Sequence, residues 1–209
     1  MKKTIPELLD PAKAAILVVD VQNDFCHPAG SAGKAGADTS AAQAMIPRLQ
    51  ALLDAAREVG TKVIFIQTIH TDETDSEAWI GRHDVPRLTC RKDTWGAEFT
   101  TVAPLANEPV VNKHRYSAFV NTRLDSVLRT LKVESIICTG VATNVCVEST
   151  ARHGFMLDYH LVFVGDCSAG YNQALHDGTL ENMKRSFGVV LNHHEIIAHW
   201  LGPKVPAGV

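Results

Sequence analysis

Short, continuously apolar stretches alternate with longer amphipathic ones along this chain, and that alternation limits the folds open to it most. "AAILVVDVQ" (14–22), "KVIFIQT" (62–68), "PVVNK" (109–113), "ESIICTG" (134–140), "YHLVFVGD" (159–166) and "GVVLN" (188–192) read as strands. They are rich in β-branched residues, and most are apolar at successive positions. A strand that is apolar on both of its faces is buried on both, which is the signature of a parallel sheet. The intervening segments 42–60, 122–133, 144–155, 174–187 and 194–202 carry apolar residues at helical spacing. Gly60 closes the first of them as a C-cap residue. Right-handed crossovers through these helices give a three-layer α/β/α sandwich on a mostly parallel sheet.

Two segments break the rhythm. Residues 23–41 form a Gly/Ala-rich loop after the first strand, and residues 69–108 a long polar excursion after the second. Long loops in compact domains are usually functional or disordered. Both begin at the carboxyl edge of the sheet, where open α/β sheets bind ligands.

Composition narrows the function. The 209 residues suit one domain, 1–209. A net charge of −3 offers no basic field for nucleic acid. No apolar run approaches the ~20 residues of a membrane span, and "MKKTIPELLDPAK" lacks the apolar centre of a signal peptide. The pair Lys2–Lys3 is too short for an address or a lipid-binding patch. Five cysteines, odd in number and with no C-x-x-C pair, predict reduced thiols and a cytoplasmic protein. The motif "HEIIAH" (194–199) resembles a zinc-binding helix, but its histidines are five apart, and one helical face needs three or four. No metal and no cofactor are expected.

The strand ends deliver three reactive residues to one edge: Asp20 after the first strand, Lys113 after the third, and Cys146 just beyond the fourth. A carboxylate near a thiol can take its proton and make it a nucleophile. A lysine and a helix N-terminus nearby would lower the thiol pKa. Position alone leaves Cys146 open between a small core residue and a nucleophile. Cys138, inside "SIICTG", reads as core. Cys167 suits either role but leans structural, and Cys26 borders the same edge without a helix start.

"VVDVQNDFC" (18–26), "NKHRYSAF" (112–119) and "TGVATNVCVESTARHGF" (139–155) resemble the signature segments of the isochorismatase-like cysteine hydrolases. The resemblance covers about residues 14–192. It implies a doubly wound, six-stranded, mostly parallel, Rossmann-like sheet and a triad of Asp20, Lys113 and Cys146. It also implies a cis peptide between Val141 and Ala142, with the N–H groups of Ala142 and Cys146 as the oxyanion hole and Thr143 or Asn144 as the helix cap. The implied chemistry is acyl transfer through a cysteine thioester, with Lys113 holding Asp20 and the thiolate in their ionised forms. Relatives of this kind are commonly dimers or tetramers, so a homo-oligomer is expected.

Within the family, the histidine pair of the nicotinamidase metal site is missing from "TIHTDETDSEAW" (68–79). "TWGAEF" (94–99) and the segment 113–129 are most similar to the ureidoacrylate and ureide branch, whose members release ammonia from small ureido compounds. Biuret- and triuret-type substrates are of the same chemical class. The alternatives are a vinyl ether hydrolase of isochorismatase type, a nicotinamidase-like amidase, or a non-catalytic binding member. A flat polar substrate needs an aromatic wall and hydrogen-bonding groups. Phe25, Trp95, Tyr116 and Phe119 are candidates for the wall, and Asn23, Arg115, Asn172, Gln173 and His176 for polar contacts. Trp95 and Phe119 equally suit the core, and Asn172 and Gln173 equally suit the turn before a helix.

Overall fold

A computed structural model describes residues 3–81 and 89–202. Lys2 and the 82–88 part of the polar excursion lie outside the described residues. Six strands form one sheet: β1 (Ala14–Val19), β2 (Lys62–Thr68), β3 (Val110–Lys113), β4 (Ser135–Val141), β5 (His160–Ala169) and β6 (Gly188–Leu191). All pairings are parallel, in the order β3-β2-β1-β4-β5-β6. The sheet is therefore all-parallel rather than mostly so.

All six residues of β1 are buried, and alternation decides which face each one serves. Ala14, Ile16 and Val18 join the core under α4 (Ser40–Val59) and α9 (His193–Leu201), with Met45, Leu49, Leu52 and Ile196. Ala15, Leu17 and Val19 face the other core, with Leu128 of α6 (Leu124–Thr130), Ala151 of α7 (Glu148–Met156) and Met183 of α8 (Gln173–Ser186). α4 ends at Gly60, in the left-handed conformation at φ 79°.

Chain order reverses direction between β1 and β4, which makes this the switch point where crossover loops diverge and leave a crevice. Here Val19 pairs with Gly140. A Cβ on Gly140 would lie 2.0 Å from the Val19 carbonyl oxygen, and its φ is +113°. Only glycine lets the two strands close at that position.

The irregular segments hold short helices with no sequence periodicity: α1 (Ile5–Leu8), α2 (Asn23–Cys26), α3 (Ser31–Lys34) and α5 (Glu77–Ile80), with 3₁₀ turns at Asp72–Thr74 and Trp95–Ala97. Four residues are too few to show a 3.6-residue period. β5 runs to Ala169, past the expected end at 166, because its register with β4 shifts between Cys138 and Gly140. Among the described residues, no helix is long and apolar enough to cross a membrane.

Candidate active site

Asp20 follows β1 in the left-handed region, at φ 54°, a conformation aspartate tolerates better than most residues. Its Oδ2 lies 2.8 Å from Lys113 Nζ at the end of β3, and each side chain is 1% exposed. Thr68, the last residue of β2, joins the two: its hydroxyl donates to Asp20 Oδ1 at 2.9 Å and accepts from Lys113 Nζ at 2.8 Å. Lys113 also donates to the Arg115 carbonyl at 3.0 Å and lies 3.4 Å from Cys146 Sγ. Lys113 stands between the Asp20 carboxylate and the Cys146 sulfur. Four strand ends thus deliver one connected cluster. Gln22 fixes its frame, accepting from the Thr68 N–H at 2.8 Å and donating to the Thr68 and Ala97 carbonyls.

Burial pushes the Cys146 thiol up to about 12, while Lys113 pulls the other way. Burial also disfavours the Lys113 ammonium, but Asp20 and Cys146 outweigh it and the lysine pKa is raised. Lys113 lowers the thiol pKa as the sequence predicts, but desolvation is the larger effect and the net direction is upward. Residues Thr143–Val147 form a π-helical turn, so Cys146 precedes α7 instead of beginning it. The expected cap is corrected too. Neither Thr143 nor Asn144 caps the helix, and the Thr143 hydroxyl turns instead to His176. The Val141–Ala142 peptide is cis.

A cavity of about 150 Å³ opens above the cluster, and Lys113, Cys146, Thr68 and Ala142 reach it. Phe25, Trp79, Tyr116 and Tyr171 provide aromatic wall, and His70 and Arg115 provide polar wall. Trp79 and Tyr116 pack at 4.9 Å between ring centroids, and Arg115 lies over the Trp79 ring at 5.0 Å. Tyr171 is fixed by its hydroxyl, which donates to the Phe25 carbonyl at 2.9 Å. Arg115 donates to the Thr74 and His114 carbonyls and the Ser76 hydroxyl, so among the described residues no carboxylate neutralises it.

Of the expected substrate contacts, Phe25, Arg115 and Tyr116 line this cavity; the other six do not. Trp95 is 48% exposed and packs edge-on against His27. Asn23 is spent on the Trp95 carbonyl, at 2.8 Å, which ties α2 to the 95–97 turn. Phe119 is buried in the second core beside Tyr159 and His153. Asn172 caps α8 by accepting from the Leu175 N–H, and Gln173 donates to Asp177 on the exposed surface. His176 borders a separate cavity together with Arg48 and Asp166. Cys26 and Cys167 lie in the first core and Cys138 in the second, and burial raises each thiol.

The sequence reading missed Thr68, His70, Trp79 and Tyr171. Thr68 and His70 stand at the end of β2, on the edge already singled out, so the rule that found Asp20 and Lys113 reaches them as well. Trp79 and Tyr171 come from loops that carry no periodic signal. Among the described residues, the three that group as potential metal ligands are Asp166, His193 and His194. Asp166 already accepts from both the backbone and the ring of His193, at 2.8 and 2.6 Å. His194 and His199 of "HEIIAH" lie on α9.

Known proteins share this arrangement of chain and strand ends. The isochorismatase domain family matches residues 14–195. A ureidoacrylate amidohydrolase, RutB, from Methylobacterium radiotolerans is 35% identical over 88% of this chain and 78% of its own. RutB of Stutzerimonas stutzeri is 34% identical over 88% and 82%. The crystal structure of a cysteine hydrolase from Pseudomonas syringae pv. phaseolicola superposes with a TM-score of 0.83 at 28% identity, covering 91% of this chain and 93% of that one. On this footing, the chain belongs to the isochorismatase family.

Proposed function

We propose that this protein hydrolyses the terminal C–N bond of a small linear ureide through a Cys146 thioester, releasing ammonia. The chain is a hydrolase of C–N bonds, an amidohydrolase of the isochorismatase family. The observation that carries the finer reading is the cluster of Asp20, Lys113 and Cys146, whose lysine and cysteine open onto a small, aromatic-walled cavity.

Asp20 accepts the thiol proton as sulfur attacks the carbonyl carbon and a C–S bond forms. The Ala142 and Cys146 N–H groups are assigned to the oxyanion. Asp20 returns the proton to the departing nitrogen, the C–N bond breaks and ammonia leaves. Water, deprotonated by the same carboxylate, attacks the acyl carbon; the C–S bond breaks, the proton returns to sulfur and the carbamate product leaves. Lys113 keeps its charge throughout and balances whichever of Asp20 or sulfur is ionised. No metal or cofactor enters the scheme.

Substrate choice among the ureides follows from the walls. Drug-sized ligands need cavities of ~300–1,000 Å³, so about 150 Å³ suits a molecule of few heavy atoms. Phe25, Trp79 and Tyr116 suit a flat skeleton. Arg115, with no carboxylate partner among the described residues, favours a ureide that carries its own carboxylate, of the ureidoacrylate type, over neutral biuret or triuret. The test is ammonia release from ureidoacrylate, biuret, triuret and nicotinamide. The acid should turn over fastest. No ammonia from any ureide would exclude this function.

A further inference from the structure

His176, expected from the sequence at the substrate, stands behind the catalytic turn instead. Its Nδ1 lies 2.8 Å from the hydroxyl of Thr143, which is fully buried. Thr143 opens the π-helical turn that carries Cys146, directly after the Val141–Ala142 peptide. One turn further along α8, Thr179 donates to Glu148 Oε2 at 2.7 Å, and Glu148 is the first residue of α7. His176 and Thr179 are three apart, so both lie on the face of α8 that meets this segment. α8 thus holds the cysteine segment at two points, one on each side of Cys146.

The rest of the contact suits a fixed spacing. A Cβ on Gly170, just before α8, would sit 3.2 Å from Asn144 Oδ1. The Asn172 side chain caps α8 and the Asn172 carbonyl accepts the His176 N–H, so the imidazole projects from an anchored helix start. Burial lowers the His176 pKa, which keeps the ring neutral at neutral pH, although Asp177 opposes the shift. A hydroxyl can donate or accept, so the Thr143 bond forms with either neutral tautomer.

We propose that His176 is a positioning residue: through Thr143 it fixes the turn that places the Cys146 thiol and the Ala142 N–H around the substrate carbonyl. The proposal rests on the reading of Cys146 as nucleophile. Small displacements of a reacting group can cost ~100-fold in rate, even when binding is untouched.

The experiment compares His176→Leu, His176→Asn, Thr143→Val and Cys146→Ser on the panel ureide with the highest turnover. Iodoacetamide alkylation of Cys146 is followed in parallel, because it needs no substrate. His176→Leu should lower kcat by about 10- to 100-fold with KM within about threefold, and should change the alkylation rate. His176→Asn places a polar atom near the position of Nδ1 and should restore most of kcat. Thr143→Val should match His176→Leu, and the double variant should be no worse than either, since both break one bond. Gln173→Ala, on the exposed face of the same helix, should behave as the native protein.

A His176→Leu kcat within about twofold of native, or strictly additive losses in the double variant, would overturn the positioning role. So would equal losses in His176→Leu and His176→Asn that track melting temperature alone. If His176→Leu does not fold, Thr143→Val decides by the same kcat and alkylation criteria. Turnover by Cys146→Ser within about tenfold of native would remove the nucleophile reading itself. An inactive serine variant beside a fully active His176→Leu would remove only the positioning role.

Discussion

Lys113 Nζ sits 2.8 Å from Asp20 Oδ2, and both side chains are shut off from solvent at 1% exposure. Such a pair is held together less by its own attraction than by the cost of separating it, because either charge left alone in that environment is strongly disfavoured. Lys113→Met should therefore destabilise the fold by about 3–5 kcal/mol in urea denaturation. Adding Asp20→Asn to Lys113→Met should recover much of that loss while leaving the protein inactive. A double variant as unstable as Lys113→Met alone would mean that the lysine acts through packing and not through charge.

Cys146→Ser keeps an oxygen where the sulfur stood and leaves Asp20, Lys113 and Thr68 in contact. Its melting temperature should stay close to native, while ammonia release falls by at least about 10⁴-fold, as expected when a nucleophile acting as a unit with its base is lost. Substrate should still bind and be visible in a calorimetric titration. Steady-state turnover by the serine variant within about tenfold of native would argue against the thioester.

The free enzyme should not store a thiolate. With burial holding Cys146 at about 12, the sign is direct: the neutral form is favoured below that value, and the thiolate fraction rises about tenfold per pH unit beneath it. Iodoacetamide alkylation of Cys146 should keep climbing beyond pH ~9, where an ordinary cysteine of pKa ~8.5 has begun to level off. A plateau between pH ~6 and ~8 would show a preformed thiolate–lysine pair.

The fold was readable because burial on both faces writes continuous apolar runs, and the four inner strands β2, β1, β4 and β5 leave that mark, while the edge strands β3 and β6 are only partly buried. The cluster was readable in part for the same reason: Asp20 and Lys113 each interrupt or end an apolar strand, and Cys146 follows one. What the sequence could not show was lateral placement. Trp95 and Trp79 are both tryptophans in one polar excursion, yet only Trp79 faces the cavity, because the 95–97 turn is tied to α2 through Gln22 and Asn23. His176 and His70 have equal claims as polar residues near strand ends. Their roles separate only when Thr143 is seen to take the first and the cavity wall the second. The net upward direction of the thiol pKa is not legible in the sequence either, because it follows from burial, which tertiary packing sets.

Gly140→Ala tests the switch point. The new methyl would lie 2.0 Å from the Val19 carbonyl oxygen at a φ that alanine disfavours, where β1 and β4 bring Asp20 and Cys146 together. Rigid backbone on one side and a positive φ on the other leave no inexpensive relaxation. The variant should lose about 3 kcal/mol or more in urea denaturation, or accumulate only as insoluble protein. Near-native stability would show that the strands can part there without cost.

Arg115→Met separates the substrate classes. Arg115 is held by the Thr74 and His114 carbonyls and lies over Trp79, so its charge is positioned at the cavity wall before any substrate arrives. A charge-assisted hydrogen bond to a substrate carboxylate contributes about 1.5–3 kcal/mol, or roughly 10- to 100-fold in affinity. KM for a carboxylate-bearing ureide should rise by that factor, while kcat changes little, because the contact is equal in ground and transition states. Turnover of biuret, which has no carboxylate, should move by less than about threefold. An equal KM increase for both substrates would assign Arg115 to the shape of the cavity, through its place over Trp79, instead of to recognition of charge.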